Sequence, residues 1–368
     1  MKDQKISVLL GDIGGTNSRL RLVYMSKEKV LETIDEKDYQ TYKYNGLKEI
    51  LEDYLKTFKN KETFPKLSVL GIPGAVINNK VLGSFALPDL NGKTGNEIGK
   101  TLGIEYLMFL NDFNVNGYAI QNKDIKEGID YISLTPNINP IENGTKSLIG
   151  AGTGLGTGFL TKKNYDKYYT VNSAQGGQQD FPINSELQLK YKNFLSHFYN
   201  VKNPTCENAC CGSTIILIYK FICEEEKISE NDSNLKKEIL ELKGDLNNEN
   251  VRNLNKKIID NALNDKCPLC KRVLNFFIEI YASISANLAL VTLSLGGVYL
   301  FGGVTAGIAE YMKKNNIFIN NFVHKGGMEI LLETVPIYAV INEKLGIIGA
   351  GEYARQAIED GRLDLIFN

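Results

Sequence analysis

The stretch ISVLLGDIGGTN, residues 6–17, decides the fold that we expect for this chain of 368 residues. Its apolar beginning, residues 6–10, predicts a buried strand, and the glycine-rich residues 11–17 predict a turn. Apolar side chains at positions 20, 22 and 24 then alternate with two arginines, which predicts a second, partly exposed strand. The two strands and the glycine turn therefore predict a β-hairpin.

A second arrangement of this kind begins near Ser147. Residues 147–150 predict a buried strand, which leads through AGTGLGTG, residues 151–158, into the apolar pair at 159 and 160. Between the two hairpins the pattern predicts two helices and two strands, at residues 47–58, 67–72, 94–102 and 106–110. The chain thus predicts two related α/β halves, each a mixed sheet flanked by helices.

The segment between residues 223 and 257 is rich in Glu, Lys and Asn. Leu235, Ile239, Leu242 and Leu246 keep helical spacing, so we expect at least one surface helix in an otherwise solvated loop. Nothing in this segment suggests chemistry.

Two glycine turns that each follow a buried strand are suited to hold the phosphates of a nucleotide. Glycine lets backbone N–H groups converge on phosphate oxygens, and Thr16, Asn17 and Thr153 add side-chain donors. Neither turn is a Walker A loop, because no Gly-Lys-Ser/Thr follows, and the second leads into a strand rather than the helix of a dinucleotide fingerprint. A single glycine turn is more often only a turn, but the two together favour a nucleotide site.

Three polar residues near strand ends are candidates for catalysis. Asp12 lies in the first glycine turn, where a carboxylate can hold Mg²⁺ through water; the alternative is a cap on the turn. Asn111 and Asp112 directly follow the strand at 106–110, at the edge where α/β sheets bind ligands. This pair predicts either a catalytic dyad or a simple turn.

Charge and composition argue against several classes of protein. Forty-two Lys and Arg against 43 Asp and Glu give a formal charge of −1, which provides no cationic field for nucleic acid. Residues 280–309 lack charged side chains, but paired glycines and scattered polar groups favour a buried helix to about residue 293 and a strand at 298–301 over a membrane span. The first residues do not resemble a secretory signal. We therefore expect a soluble, cytoplasmic protein.

The six cysteines are expected to be reduced thiols. Cys267 and Cys270 have the C-x-x-C spacing, and Cys206, Cys210 and Cys211 lie close together. A zinc site would require a second spaced pair or nearby histidines, and neither histidine is close in sequence. The pattern does not favour zinc.

Taken in order, these motifs resemble those of the bacterial-type glucokinases of the hexokinase–actin ATPase superfamily. The resemblance extends over nearly the whole chain, which makes it far more specific than any single motif. The segments that carry it are 11–17 (GDIGGTN), 110–113 (LNDF), 150–156 (GAGTGLG), 175–178 (QGGQ), 180–181, 184–186, 287–290, 302–304 (GGV) and 346–351.

The resemblance implies a two-domain, actin-like ATPase fold of the ribonuclease H type. It implies a small α/β domain at 1–120 and 347–368, a large α/β domain at 121–346, and an active-site cleft between them. The implied reaction is ATP-dependent phosphorylation of glucose to glucose 6-phosphate, a step of glycolysis, with Asp112 as the base on the sugar 6-hydroxyl. The implied sugar-binding residues are Asn111, Asp112, Gln175, Gln178 and Glu207. A capping or surface role is the alternative for Glu207.

The resemblance also implies which residues bind ATP and Mg²⁺. The implied ATP-binding residues are Asp12, Gly14, Gly15, Thr16, Asn17, Gly152, Thr153, Gly154, Gly302 and Gly303. Asp12 would hold Mg²⁺ through water. The implied partner is glucose or a related hexose, with neither nucleic acid nor a membrane involved. We expect a homodimer, although no residue pattern specifies the oligomeric state.

The chain departs from the family pattern at two sugar-binding positions. Gln175 and Gln178 stand where these glucokinases have Glu and His. A hydrogen bond to a charged group contributes ~1.5–3 kcal/mol and a neutral one ~0.5–1.5 kcal/mol, so Gln175 could cost about 1 kcal/mol of sugar binding. That is roughly a fivefold loss of affinity. We expect a working hexose kinase with modest or altered sugar affinity.

Two further interpretations remain open. The enzyme could phosphorylate another hexose or an amino sugar, or the chain could be a catalytically silent sugar- or nucleotide-binding protein, as Gln175 and Gln178 suggest. Retention of Asp12, Asp112 and both glycine turns argues against the silent protein. The related repressor–kinase family is not favoured, because only ten residues precede Gly11 and they leave no room for a helix-turn-helix domain.

Overall fold

The structure is a computed structural model that describes residues 5–26, 30–84, 86–226, 234–242, 246 and 248–361. The chain divides into two compact units. Unit 1 comprises the described residues of Met1–Ile125 and Lys344–Asn368, and unit 2 comprises those of Lys126–Glu343.

The described residues form thirteen strands and thirteen α-helices. The strands are β1 Ile6–Ile13, β2 Asn17–Met25, β3 Val30–Gln40, β4 Leu67–Ile72, β5 Ala75–Ile77, β6 Lys80–Gly83, β7 Tyr106–Asn111, β8 Tyr131–Ser133, β9 Lys146–Ala151, β10 Leu155–Thr161, β11 Thr170–Ala174, β12 Gly297–Phe301 and β13 Ile337–Val340. The helices are α1 Leu47–Leu55, α2 Gly95–Leu102, α3 Asp112–Ala119, α4 Glu186–Tyr199, α5 Cys206–Ala209, α6 Ile215–Glu225, α7 Asn234–Glu241, α8 Glu249–Leu263, α9 Pro268–Thr292, α10 Gly303–Asn315, α11 Ile317–Val323, α12 Glu329–Leu332 and α13 Leu345–Glu359.

Unit 1 is a five-stranded sheet with helices on both faces, in the strand order β3-β2-β1-β4-β7. The first three strands are antiparallel, whereas β1, β4 and β7 run parallel. Successive residues of β1 point to opposite faces: Leu9 packs in the core with α1 and α2, and Leu10 packs in the core with α3 and α13. The parallel strands therefore end along one edge of the sheet.

Unit 2 is built on a six-stranded sheet, in the order β11-β10-β9-β12-β13-β8, in which β9, β12 and β13 are parallel. The long helix α9 is apolar enough to cross a membrane by length and composition alone, but 72% of its most apolar window is buried inside the protein. It packs in the largest core, with α6 and α8. The prediction of a buried helix followed by a short strand is confirmed by α9 and β12.

Several predicted elements are confirmed with nearly the same bounds. They are the hairpin of β1 and β2, helices α1 and α2, and strands β4 and β7. Helix α7 matches the predicted surface helix, although part of the 223–257 segment lies outside the described residues. Strand β3 and helix α8 were not predicted.

The predicted extent of both glycine turns is wrong. Strand β1 continues through Gly11 and Asp12 to Ile13, so the first turn is only residues 14–16. A side chain at Gly11 would lie 2.5 Å from Leu70 Cδ2, so this glycine serves close packing inside the sheet rather than a turn. In the second hairpin β10 already begins at Leu155, which leaves residues 152–154 as the turn.

The last helix of the described residues, α13, begins at Leu345 and packs on α3. Its glycines allow close packing: a Cβ on Gly349 would lie 2.0 Å from the Val115 carbonyl oxygen in α3. The two helices thus approach each other backbone to backbone.

This packing gives a prediction for stability. In an open helix, Gly→Ala stabilises by roughly 0.5–1 kcal/mol. At Gly349 the clash with a backbone oxygen outweighs that gain, so Gly349→Ala lowers the free energy of unfolding by about 1–3 kcal/mol. Urea unfolding followed by circular dichroism measures the change. The matched control is Gly83→Ala in β6, where no atom lies within 4 Å of the added methyl group and stability should hardly change. Equal effects at both positions would contradict the packing argument.

Candidate functional site

The carboxylates of unit 1 lie where its parallel strands end. Asp12 in β1 is in register with Gly71 in β4, and Gly71 is in register with Leu110 in β7. Asp112 follows the last residue of β7 and is the first residue of α3. Since neighbouring strands are ~4.8 Å apart, β1 and β7 are separated by roughly 10 Å. The structure therefore brings Asp12 and Asp112 to one edge of the same sheet.

Asn111 joins strand β7 to helix α3. Its side-chain oxygen caps the helix by accepting the N–H groups of Phe113 and Asn114, at 3.0 and 3.1 Å. Its amide nitrogen donates to the Gly74 carbonyl at 2.8 Å and to Asp112 Oδ1 at 3.0 Å. A carboxamide has two donor hydrogens and two acceptor lone pairs, so all four are used. In this conformation Asn111 fixes Asp112 and has no hydrogen-bonding group left for a sugar.

The Asp112 carboxyl group is held in place and partly removed from water. Its Oδ1 accepts the backbone N–H of Phe113 at 2.8 Å and the amide of Asn111. Loss of solvent raises its pKa to about 7, and the nearby negative charge of Asp12 adds to this effect. The two hydrogen bonds oppose the rise because they stabilise the charged form. The outcome is a carboxyl group that ionises near neutral pH.

Asp12 is a half-buried carboxylate beside the amino end of α13. A Cβ on Gly346, in the first turn of α13, would lie 2.6 Å from Asp12 Cγ, so only glycine fits there. Burial raises the pKa of Asp12, and the positive charge of Arg19 partly opposes this. Among the described residues, the Asp12 side chain accepts no hydrogen bond. Its oxygens are therefore available to a ligand.

The first glycine turn is pinned from one side by Thr41. The Gly14 N–H donates to the Asn17 carbonyl at 2.8 Å and closes the turn, while Thr41 Oγ1 donates to the Gly14 carbonyl at 2.7 Å. Thr41 N–H donates in turn to the Thr16 carbonyl. Gly15 and Asn17 remain exposed at the tip. The structure thus places Gly14, Gly15, Thr16 and Asn17 together, near the end of the strand that carries Asp12.

The glycines of unit 2 lie side by side at the ends of two parallel strands. The Gly152 N–H donates to the Gly154 carbonyl at 2.9 Å, and the Gly152 carbonyl accepts the N–H of Gly212 at 2.7 Å. Gly302 follows β12 with a φ of 104°, and a Cβ there would lie 2.4 Å from the Ala151 carbonyl. Gly303 then begins α10. Glycine is required because the two chain segments touch through their backbones.

A cavity of about 580 Å³ opens beside these glycines. One wall is formed by Gly152, Thr153, Gly303 and Val304, and the opposite wall by α8. The lining residues of α8 include Arg252, Asn255, Lys256 and Ile259. Asn255 also donates to the Gly212 carbonyl at 2.9 Å, so α8 is tied to the glycine turn. The cavity has the size of a small-molecule site.

Three of these α8 residues, Arg252, Asn255 and Lys256, lie in the segment 223–257, where we expected at least one surface helix and no chemistry. Their place in the cavity lining was not predicted. The helix itself had a signal in the sequence: Val251, Leu254 and Ile258 recur at helical spacing, and all three are buried in the structure.

Glu207 lies against the second glycine turn. Its Oε2 accepts the Leu155 N–H at 2.8 Å, and its Oε1 accepts an amide hydrogen of Gln178 at 3.0 Å. A Cβ on Gly154 would come within 2.4 Å of Oε2, so a larger residue at this position would displace the Glu207 carboxylate. Glu207 therefore supports the turn and holds Gln178.

Gln175 and Gln178 are at the two ends of one short helical turn, yet their side chains differ. Gln178 reaches Glu207, whereas the exposed Gln175 side chain makes no hydrogen bond within the described part of the chain. The turn itself is fixed by the Gly176 N–H, which donates to Thr157 Oγ1 at 2.7 Å. Unit 2 thus joins Gln178 and Glu207 and leaves Gln175 open to a ligand.

Comparisons with known proteins agree with this arrangement. The family model described as Glucokinase matches residues 9–357. A glucokinase from Nostoc sp. is 30% identical over 351 residues, which cover 93% of this chain and 97% of that protein.

Solved structures show the same fold. The crystal structure of a glucokinase from an Antarctic psychrotroph has a TM-score of 0.74 at 21% identity and covers 96% of this chain and 100% of its own. A ROK-family glucokinase from Streptomyces griseus, in complex with glucose and AMPPNP, has a TM-score of 0.59 at 16% identity over 95% and 99% of the two chains. The predicted α/β fold of the actin-like ATPase type is confirmed. With the family match, this means that the chain belongs to the glucokinase family and is a sugar kinase.

Proposed function

We propose that this chain transfers the γ-phosphoryl group of ATP to the 6-hydroxyl group of glucose, with Asp112 as the catalytic base. The observation that carries the proposal is the Asp112 carboxyl group, fixed at the start of α3 with a pKa raised to about 7. A base is most effective when its pKa lies near the working pH. The family match supports the sugar kinase activity itself.

Asp112 acts mainly by orienting the sugar hydroxyl. Phosphoryl transfer depends on positioning and on neutralising charge more than on complete proton removal. The hydrogen bonds from Phe113 and Asn111 go to Oδ1, so Oδ2 is the oxygen that receives the 6-hydroxyl proton. Asn111 holds this geometry as a positioning residue. Direct sugar binding by Asn111 requires one of its four internal hydrogen bonds to be exchanged.

Each glycine turn is suited to bind phosphate. In unit 1 the donors are backbone and side-chain groups of Gly14, Gly15, Thr16 and Asn17, and in unit 2 they are those of Gly152, Thr153 and Gly154. The cavity beside Gly302 and Gly303 takes the base and ribose between Val304 and Ile259. The AMPPNP complex of the Streptomyces griseus protein supports ATP as the phosphoryl donor.

Asp12 fits a magnesium site. It offers half-buried carboxylate oxygens without hydrogen-bond donors from the described residues, and oxygen ligands are those that Mg²⁺ prefers. No group of three or more His, Cys, Asp or Glu side chains converges in the described ranges, so Asp12 would hold the ion together with phosphate and water oxygens. When bound, Mg²⁺ offsets the phosphate charge during transfer.

Glucose is bound in unit 2 by Gln175, Gln178 and Glu207. The Glu207 carboxylate is oriented by the Leu155 N–H and by Gln178. Gln175 provides a neutral amide where the family has a carboxylate, so its bonds to sugar hydroxyls are weaker. Another hexose or an amino sugar is the second candidate, because of this exchange.

Asp112→Asn tests the assigned base. The variant keeps the shape of the side chain and an acceptor at Oδ1 but cannot take a proton. Sugar-dependent ADP release should fall by at least a hundredfold with every hexose tested, because general-base catalysis typically contributes ~10²–10⁴-fold. Sugar affinity, measured by calorimetry, should change little.

The control for this variant is Asp89→Asn, in the short helical turn Pro88–Leu90 of unit 1, which should keep its turnover. Wild-type protein that binds a hexose but releases no ADP would favour a catalytically silent binding protein. Normal turnover by Asp112→Asn would contradict the assigned base.

The raised pKa of Asp112 predicts an effect on stability that does not depend on turnover. The unfolded carboxyl ionises near 3.8 and the folded one near 7, so the folded state loses stability as the pH rises between these values. Asp112→Asn removes this loss. The free energy of unfolding of the variant, minus that of wild type, should be about 2–3 kcal/mol higher at pH 8 than at pH 5. The variant is therefore relatively more stable at pH 8.

Asp53→Asn is the control of opposite sign. Hydrogen bonds from Lys56 and Lys37 lower the pKa of Asp53. The ionised side chain therefore stabilises the fold at pH values above the ordinary pKa of aspartate. Removal of that charge should reduce stability at pH 8 rather than raise it. Urea unfolding at the two pH values measures both variants. A pH-independent difference for Asp112→Asn would show that its pKa is ordinary.

Gln175→Glu tests the departure from the family pattern. The exposed side chain has no internal hydrogen bond to break, so a carboxylate should fold without cost and bind sugar hydroxyls more strongly. The dissociation constant for glucose should fall roughly fivefold, which corresponds to about 1 kcal/mol. Gln179→Glu, also exposed, is the control and should leave glucose binding unchanged. An unchanged or larger constant for Gln175→Glu would rule out the account of this position.

A further inference from the structure

Two cysteines lie at the beginning of the longest helix, outside the site described above. Cys267 is the residue that caps α9, Pro268 is its first residue, and Cys270 occupies its third position. The Cys267 sulfur accepts the backbone N–H of Cys270 at 3.1 Å. Caps of this kind are usually made by the oxygen of Ser, Thr, Asp or Asn. Here the capping atom is a thiol sulfur that is three residues from a second thiol.

The geometry favours a bond between these two sulfurs. Residues three apart on a helix have Cβ atoms roughly 5–6 Å from each other, slightly more than the ~3.5–4.5 Å of a disulfide. The hydrogen bond already holds the Cys267 sulfur against the Cys270 backbone. A small adjustment of the first helical turn, with side-chain rotation, is therefore sufficient to join them. Both residues are thiols in this structure.

The two thiols differ in access. Cys267 is partly exposed, whereas Cys270 is completely buried. Cys267 lies at the amino end of a helix of 25 residues, and its sulfur accepts the N–H of Cys270. A reagent in solution thus meets Cys267 first, and Cys270 lies behind it.

We propose that Cys267 and Cys270 are a redox-active pair that forms a reversible disulfide with a small disulfide such as oxidised glutathione. The Cys267 thiolate attacks one sulfur of the oxidant, forms a mixed disulfide and releases one thiolate. The Cys270 thiol then gives its proton to the released thiolate, and its sulfur attacks Cys267 Sγ, which forms the internal disulfide and releases the second thiolate. Two protein thiols are oxidised and the small disulfide is reduced to two thiols, so the electrons balance.

The cysteines near Glu207 do not compete in this reaction. Burial raises the pKa of Cys206 to about 12 and also raises the pKa of Cys210 and Cys211. They are shielded from solvent, whereas Cys267 is partly exposed, so a reagent in solution reaches Cys267 before them. Access to Cys267 and its spacing of three residues from Cys270 therefore select this pair.

The experiment incubates the full chain in glutathione buffers of increasing oxidised fraction, alkylates the remaining thiols and maps the peptides by mass spectrometry. Wild-type protein should lose two alkylation sites, at Cys267 and Cys270, and regain both on reduction. Cys270→Ser should accumulate a mixed disulfide with one glutathione at Cys267. Cys267→Ser should lose both products. Cys223→Ser, in the buried helix α6, is the control and should behave as wild type.

Circular dichroism under reducing conditions verifies that each variant is folded, and the wild-type result is decisive even if a variant is not. Wild-type protein in which the 267–270 disulfide never forms would overturn the proposal. A mixed disulfide at another cysteine in Cys270→Ser would overturn the role of Cys267. The readout is mass, so a failed proposed function would not affect it.

Discussion

The ends of three parallel strands determine the chemistry available to unit 1. Strands β1, β4 and β7 end along one edge of the sheet. Asp12 lies near the end of β1, and Asp112 directly follows β7. Both carboxyl groups lose water there, and the negative charge of Asp12 further disfavours ionisation of Asp112. Neutral residues at these two positions would not carry the energetic cost of burying carboxyl groups. The fold instead keeps two carboxylates, of which one ionises near neutral pH and the other has oxygens left for a cation.

A short polar side chain and close contacts at glycines hold most of this arrangement together. Asn111 ends β7 and caps α3 in one step, and in doing so it fixes the oxygen of Asp112. Gly346 and Gly349 let α13 lie directly on Asp12 and α3, where any larger residue would collide. In unit 2, Gly154 makes room for Glu207 in the same way. Rigid supports of this kind keep reacting groups in place, which phosphoryl transfer requires.

The sequence predicts an element correctly where its residue pattern is compatible with only one kind of structure. Helix α1 has apolar spacing that fits no other element, and its apolar residues are buried on one face. Helix α9 is recognised as a core helix because hydroxyl groups interrupt its apolar run and paired glycines follow it. The structural role of a glycine is harder to predict, since Gly11 permits close packing on Leu70 whereas Gly14 permits a turn. Sequence alone does not show which atoms surround a glycine, and the length of both turns was misjudged for that reason.

Some residues of the candidate site could likewise be predicted from the sequence, and others could not. Asp12, Asp112 and the glycine turns could be found because strand ends and glycines mark ligand sites in α/β proteins. The contribution of α8 to the cavity could not, because Asn255 and Lys256 approach Gly152 only through tertiary packing. The saturation of Asn111 likewise depends on the Gly74 carbonyl, 37 residues away in the chain. Such contacts are decided by the fold and have no local signature.

The most direct measurement is a crystal structure of the chain with glucose and a non-hydrolysable ATP analogue bound together. The central claim is that Asp112 receives the proton of the sugar 6-hydroxyl. It predicts that a carboxylate oxygen of Asp112 lies about 2.6–3.2 Å from the 6-hydroxyl oxygen, with that hydroxyl directed at the terminal phosphate. A sugar bound with its 6-hydroxyl beyond the reach of Asp112, or held by a different carboxylate, would contradict the claim.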